Sequence, residues 1–233
     1  MSEPDRVPLL LVGATGLIGT AVIAATAGRD GVQLTALARR EITMPAGAKL
    51  EMLVADPAEW PAAIARARPE VLVIALGTTI KAVGGDRQAF RAVDHDLILA
   101  TARAARAAGT RQVILVSSGG ANPASRNFYL SVKGETESAV NKMDFSRLDI
   151  LRPGVLRGDR TGPARPAERI AQLLSGLIDP FLRGRLAPFH SVHARDIAAA
   201  ILTLASADSE GSARGRHVYF YPDIHNLARR GLT

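Results

Sequence analysis

The chain has 233 residues, a length that suits one α/β domain; apolar residues make up 47% and aromatics only 4%, so Val, Leu, Ile and Ala must fill the core. It contains no cysteine, which excludes disulfides, thiolate metal sites and thiol nucleophiles together. The formal charge is +7, but the lysines are only Lys49, Lys81, Lys133 and Lys142, and the many arginines are scattered rather than gathered, which reads as a GC-rich bacterial composition and not as a nucleic-acid surface.

In chain order, Val7–Val12 is a continuous apolar run, the mark of a buried parallel strand, and a glycine loop follows it. Thr20–Ala27 reads as an Ala-rich helix, Val32–Ala38 as a second strand and Leu50–Ala55 as a third. Asp56 and Pro57 open a helix that runs to about Arg68. Val71–Leu76 is a fourth strand, Asp86–Ala108 a long helix closed by Gly109, and Val113–Ser117 a fifth strand. Phe128–Lys142 reads as a helix and Leu148–Leu151 as a sixth strand. After Arg152-Pro153-Gly154 prolines and glycines cluster, which marks 155–190 as a less regular substrate lobe with a short helix over Ala167–Ile178. A helix over Ala194–Ala205 and a last strand, His217–Phe220, precede a short tail. Repeated β-α alternation predicts a doubly wound parallel sheet, the Rossmann arrangement, within one domain over 1–233.

Three features point to chemistry. The loop Gly13-Ala14-Thr15-Gly16-Leu17-Ile18-Gly19 stands between the first strand and the first helix, the context a dinucleotide fingerprint demands. Gly13 permits the turn, Gly16 lets a pyrophosphate approach the backbone and Gly19 lets the helix pack closely, while the helix N-terminus offers N–H groups to phosphate. The second strand ends in Ala38-Arg39-Arg40, where an NAD-specific domain usually carries an acidic residue. Arginine there pairs with a 2′-phosphate instead, so the expected cofactor is NADP(H), with Glu41 the nearby exception.

Tyr129-x-x-x-Lys133 lies in the helix after the fifth strand, and a spacing of four puts both side chains on one face. A lysine ammonium beside a phenol favours the phenolate, and a tyrosine so poised exchanges a proton with a carbonyl or alcohol. Ser117 and Ser118 close the fifth strand, and one of them, with preference for Ser118, is expected to orient the substrate oxygen. His190 and His193 near Asp196 invite a metal reading, but Asp196 is better read as a helix cap, and no metal is expected. Asp94 and Asp96 read as a solvated helix face or a helix–loop bond.

These motifs, with Leu76-Gly77-Thr78-Thr79, Val116-Ser117-Ser118, Gly134-Glu135 and Arg152-Pro153-Gly154-Val155-Leu156, together resemble the short-chain dehydrogenase/reductase superfamily. The run Leu151–Arg160 is similar to its atypical branch around the Tat-interacting oxidoreductase proteins, and the likeness spans Leu9 to Pro166. The resemblance implies NADPH contacts at Thr15, Gly16, Leu17 and Ile18, at Arg39 and Arg40, at Leu76 and Gly77, and at Tyr129 and Lys133. It also implies contacts at Leu156 and Arg165, and an approach of Asp56 to the adenine. Tyr129 is then the proton donor or acceptor. Where many sugar-modifying relatives carry a third hydroxyl after Val-Ser-Ser, this chain has Gly119, which speaks against epimerase or dehydratase chemistry.

The expectation is an NADP(H)-dependent oxidoreductase acting on a small carbonyl or alcohol, as monomer or homodimer. An NADP(H)-sensing protein without turnover is the second reading, and a nucleotide-sugar epimerase a third. The polar start, Met1–Pro8, lacks a signal-peptide pattern, and no apolar run reaches the ~18 residues of a membrane span, so a cytoplasmic protein without membrane or nucleic-acid partners is expected.

Overall fold

The computed structural model describes residues 6–27, 29, 31–42, 47–157, 191–206 and 214–231. Its centre is a sheet of seven strands: β1 (Val7–Val12), β2 (Val32–Ala38), β3 (Leu50–Val54), β4 (Val71–Ile74), β5 (Gln112–Val116), β6 (Arg147–Leu151) and, late in the chain, β9 (Gly215–Tyr219). The order is β3-β2-β1-β4-β5-β6-β9 and every pairing is parallel. A second, two-stranded parallel sheet joins β7 (Leu156–Arg157) to β8 (Val192–His193). Strands that read as unbroken apolar runs are buried on both faces: Leu9, Leu10, Leu11 and Val12 of β1 are almost wholly inaccessible.

The alternate residues of these strands feed two cores. Leu9 and Leu11 face helices α1 (Leu17–Ala25), α6 (Ala194–Ser206) and α7 (Tyr221–Arg230), where Val22, Ile201 and Ile224 meet them. Leu10 and Val12 face α2 (Trp60–Ala67), α4 (Ile98–Ala107) and α5 (Phe128–Asn141), where Trp60, Ile98 and Val140 close the other layer. Short α3 (Arg87–Arg91) runs through a π-helical segment, Ala92–Leu97, straight into α4. The long helix expected over 86–108 is therefore one rod with a widened turn in it. Asp86 caps it, accepting from Gln88 N at 2.7 Å, and Gly109, at φ +90°, ends it.

Three local expectations change. Helix α1 begins at Leu17, three residues before the expected Thr20, because the glycine loop turns directly into it. Helix α6 begins at Ala194, so Asp196 sits inside its first turn and does not cap it. The C-terminal tail forms α7, with Pro222 in its first turn and Asp223 accepting from Phe220 N at 3.0 Å. Gly16, Asp56 and Asp86 do occupy N-cap positions, but of these only Asp86 caps with its side chain. The expected helix at 167–178 and residues 158–190 of the expected lobe lie outside the described residues.

Candidate functional site

The carboxyl ends of β1 and β4 lie side by side at the middle of the sheet, the crevice where open parallel sheets bind ligands. Gly13 leaves β1 with φ +96°, and a Cβ there would stand 2.5 Å from the Ala75 carbonyl. No L side chain fits. A Cβ on Gly19 would collide with the Gly13 carbonyl oxygen, so α1 rests directly on the loop. Gly16 differs, for its nearest neighbour would be Gly13 O at 3.3 Å and its face is otherwise open. No side chain caps α1 and no acidic residue stands in its first turn, so its leading N–H groups are left for an anion. The loop thus fits a dinucleotide pyrophosphate. Thr15 is exposed and Leu17 half-buried, but Ile18 lies in the core, so its contribution there is its backbone N–H.

Arg39 and Arg40 follow β2 directly, both exposed and without an ion-pair partner among the described residues. Asp56 is exposed after β3. Leu76 and Gly77 follow β4, Leu76 packing toward the α2–α4 layer. Leu156 lies on β7 and packs against the opposite core. Arg165 and His190 fall outside the described residues, and His193 is exposed on β8. Among the described residues no cluster of three metal-ligating side chains occurs.

Helix α5 carries Tyr129 and Lys133. Asn127 caps it, accepting from Leu130 N at 3.2 Å, and places Tyr129 in its first turn. The half-buried Tyr129 ring leans on buried Phe90, with ring centroids 5.7 Å apart, and its hydroxyl has no hydrogen-bond partner among the described residues. One turn on, Lys133 is buried and its Nζ lies 2.7 Å from Asp94 Oδ1. This contact is ionic rather than a well-directed hydrogen bond. Asp94 Oδ2 accepts from Thr78 N at 2.7 Å. A Cβ on Gly77 would stand 3.5 Å from Asp94 Oδ1 and 3.8 Å from Lys133 Nζ, so the ion pair lies beneath the loop that leaves β4. Asp94 is fully buried. Of the two readings offered for it, the helix–loop bond holds and the solvated face does not.

The two serines part company. Ser117 is buried and donates to Glu137 Oε1 at 2.5 Å, while Arg152 donates to both oxygens of the same carboxylate and Arg216 Nη2 approaches Oε2 at 3.4 Å. Ser118 is half-buried and makes only a long 3.4 Å contact with the Gly119 carbonyl. Its hydroxyl is the one left for a ligand. Tyr219 is similarly committed. Burial, and then the Asp149 carboxylate, push its phenol up to about 12, and its hydroxyl donates to Asp149 Oδ1 at 2.9 Å. Sequence reasoning missed Phe90 and the Lys133–Asp94 pair. Only an aromatic one residue before an arginine and a carboxylate in an apolar helix could have hinted at them.

Residues 13–207 match a family model described as NAD(P)H-binding. A Saccharomyces cerevisiae protein named Protein FMP52, mitochondrial is 41% identical over 155 residues, covering 65% of this chain and 67% of its own. Its Aspergillus fumigatus counterpart is 37% identical over 174 residues, covering 72% and 74%. Among solved structures, the Bordetella bronchiseptica enzyme WbmG in complex with NAD and UDP gives a TM-score of 0.65 at 17% identity, covering 98% of this chain and 78% of that one. Thermus thermophilus UDP-glucose 4-epimerase in complex with NAD gives 0.65 at 18%, covering 96% and 81%. These likenesses show the fold. Two expectations are corrected here. The relatives are fungal Fmp52 proteins, not bacterial members of the Tat-interacting branch, and they are named as mitochondrial, which overturns the cytoplasmic placement. Lack of cysteine and a polar start do not distinguish reducing compartments from one another, so composition had no power to decide this.

Proposed function

Because this chain belongs to the NAD(P)H-binding family, with the fungal Fmp52 proteins among its relatives, we propose that it is an NADP(H)-dependent oxidoreductase acting on a small carbonyl or alcohol. The observation that carries this reading is the meeting of α5 with the β4 loop, where Lys133 Nζ lies beneath Gly77, next to the glycine loop, with Tyr129 one turn earlier on the same helix.

In this reading the backbone of Gly13–Gly19 and the first turn of α1 hold the pyrophosphate. Arg39 and Arg40 receive the 2′-phosphate through charge-assisted bonds. Asp56 stands near the adenine, Leu76 and Gly77 line the ribose side, Leu156 adds a contact, and a contact from Arg165 is only what the family resemblance implies. When bound, the cofactor supplies or accepts the hydride. Ser118 holds the substrate oxygen, and Tyr129 gives that oxygen a proton or takes one from it. Lys133 provides positive charge beneath the tyrosine and N–H donors toward the nicotinamide ribose. The segment 155–190 decides which substrate enters.

Two measurements test the reading. NADPH oxidation over a panel of aldehydes, ketones and quinones is expected to detect turnover that Tyr129→Phe lowers by ~10²–10⁴-fold with cofactor affinity retained. Binding of NADPH without turnover of any compound would replace the enzyme by the sensing reading. For the 2′-position, Arg39→Ala is expected to weaken NADPH about tenfold while leaving NADH unchanged. Equal loss for both cofactors, or none, removes the NADP(H) assignment.

A further inference from the structure

We propose that Asp94 is a positioning residue for the nicotinamide end of the cofactor, acting by fixing the Lys133 ammonium and the Gly77–Thr78 backbone in a single arrangement. The proposal rests on the NAD(P)H-binding reading and deepens it.

The position of Asp94 is unusual for a carboxylate. It sits in the π-helical segment, in a rod whose neighbouring turns bury Phe90 and Ile98. The extra residue in a π turn changes which side chains face inward, and such segments are frequent at functional sites. Asp94 is fully buried, and the Lys133 side chain is 7% exposed. A buried charge left without its partner is strongly destabilising, so each of these groups holds the other where it is.

Three contacts converge on this residue, two of them on its carboxylate. Lys133 comes from α5, Thr78 N–H from the β4 loop, and the backbone carbonyl of Asp94 itself accepts from Thr136 Oγ1 at 2.9 Å, which locks the π segment onto α5. An ammonium has three N–H donors. Held 2.7 Å from Asp94 Oδ1, the ammonium stays beneath Gly77 rather than keeping the freedom of a flexible lysine. Asp94 touches neither substrate nor cofactor in this arrangement. It works through Lys133 and the loop.

Asp94→Asn keeps an acceptor for Thr78 N–H and removes the charge. Titration with NADPH and with 2′,5′-ADP, which carries only the adenosine half, separates local positioning from general damage. Asp94→Asn is expected to weaken NADPH about tenfold, and 2′,5′-ADP by less than about twofold. In a cycle with Lys133→Met, the double variant is expected to bind NADPH no more weakly than Lys133→Met alone, because Asp94 acts through the lysine. Unchanged NADPH affinity in Asp94→Asn, equal loss of both ligands, or additive losses in the cycle would each overturn the proposal. Should Asp94→Asn not fold, Asp94→Glu, which keeps the charge but displaces it by one methylene, is expected to weaken NADPH and spare 2′,5′-ADP, and unchanged NADPH affinity there would overturn the proposal. Failure of the unmodified protein to bind NADPH or NADH would fault the underlying reading instead.

Discussion

Gly13 and Gly16 belong to one motif but do different work. Gly13 is required by the fold, since its φ is +96° and a Cβ would meet the Ala75 backbone. Gly13→Ala is expected to destabilise the protein by about 1–3 kcal/mol, read as a fall in melting temperature, and to abolish dinucleotide binding with it. Gly16 is less crowded, its Cβ meeting only Gly13 O at a tight 3.3 Å and Ala75 O at 3.9 Å. Gly16→Ala is expected to lower the melting temperature less than Gly13→Ala and to weaken NADPH, because a methyl in the glycine loop crowds the approach of the pyrophosphate. Glycines at this spacing were legible in the sequence because their missing Cβ is itself the signal. Asp94 was not. In Ala92-Val93-Asp94-His95-Asp96 the acidic residues read as a solvated face or a helix–loop bond; the bond to Thr78 N was among those readings, but the burial of Asp94 in a π-helical turn against Lys133 was not.

Helix α5 shows how one element can serve packing and chemistry at once. Tyr129, Lys133 and Glu137 recur every four residues on its sheet-facing side, meeting Phe90, Asp94 and Ser117 in turn. Gly134 lets this helix lie against Asn122 and Pro123, whose backbone a Cβ would overlap. Gly134→Val is expected to cost about 1–3 kcal/mol by overpacking and to lower turnover more than cofactor affinity, since Tyr129 shifts with the helix. On the outer side Arg91 and Glu135 pair at 2.7 Å, and the hydrogen bond from Arg91 holds the Glu135 carboxyl below its ordinary 4.5. A depressed carboxyl adds stability above its unfolded value that is lost as pH falls through the folded one. Glu135→Gln should therefore be no less stable than the parent in acid below that point, and less stable at neutral pH by under about 1 kcal/mol, in denaturant titrations at the two pH values. Strands β1 to β6 and β9 were legible to within two residues as apolar runs, whereas β7 and β8, two residues each, were not. Helix α7 was not, although Pro222, Asp223 and the apolar spacing of Ile224, Leu227 and Ala228 carry a helix pattern; its length of 10 residues hid it in the tail.

For the whole molecule, a single carboxylate ties together three adjacent strands that are far apart in the sequence. Glu137 joins the end of β5 through Ser117, the exit from β6 through Arg152 and β9 through Arg216. Glu137→Ala would leave Arg152 half-buried and unpaired, and a loss of about 3–5 kcal/mol is expected in urea unfolding, with the far end at Arg39 undisturbed. Alternation of β and α in the sequence announced a parallel sheet, but not that β9 would add beyond β6. That placement depends on contacts such as the Tyr219–Asp149 bond, which join residues 70 apart.

The neighbouring pair β1 and β4 has one more consequence. Their exits diverge, the first into α1 on one face of the sheet and the second toward α3 and α4 on the other. A molecule lying across both exits acts as a rivet between two stretches of chain that otherwise meet only along this seam. Amide hydrogen exchange should then slow on both sides at once, over 12–18 and 75–78, when NADPH is added, and the two segments should recover together when it is washed away.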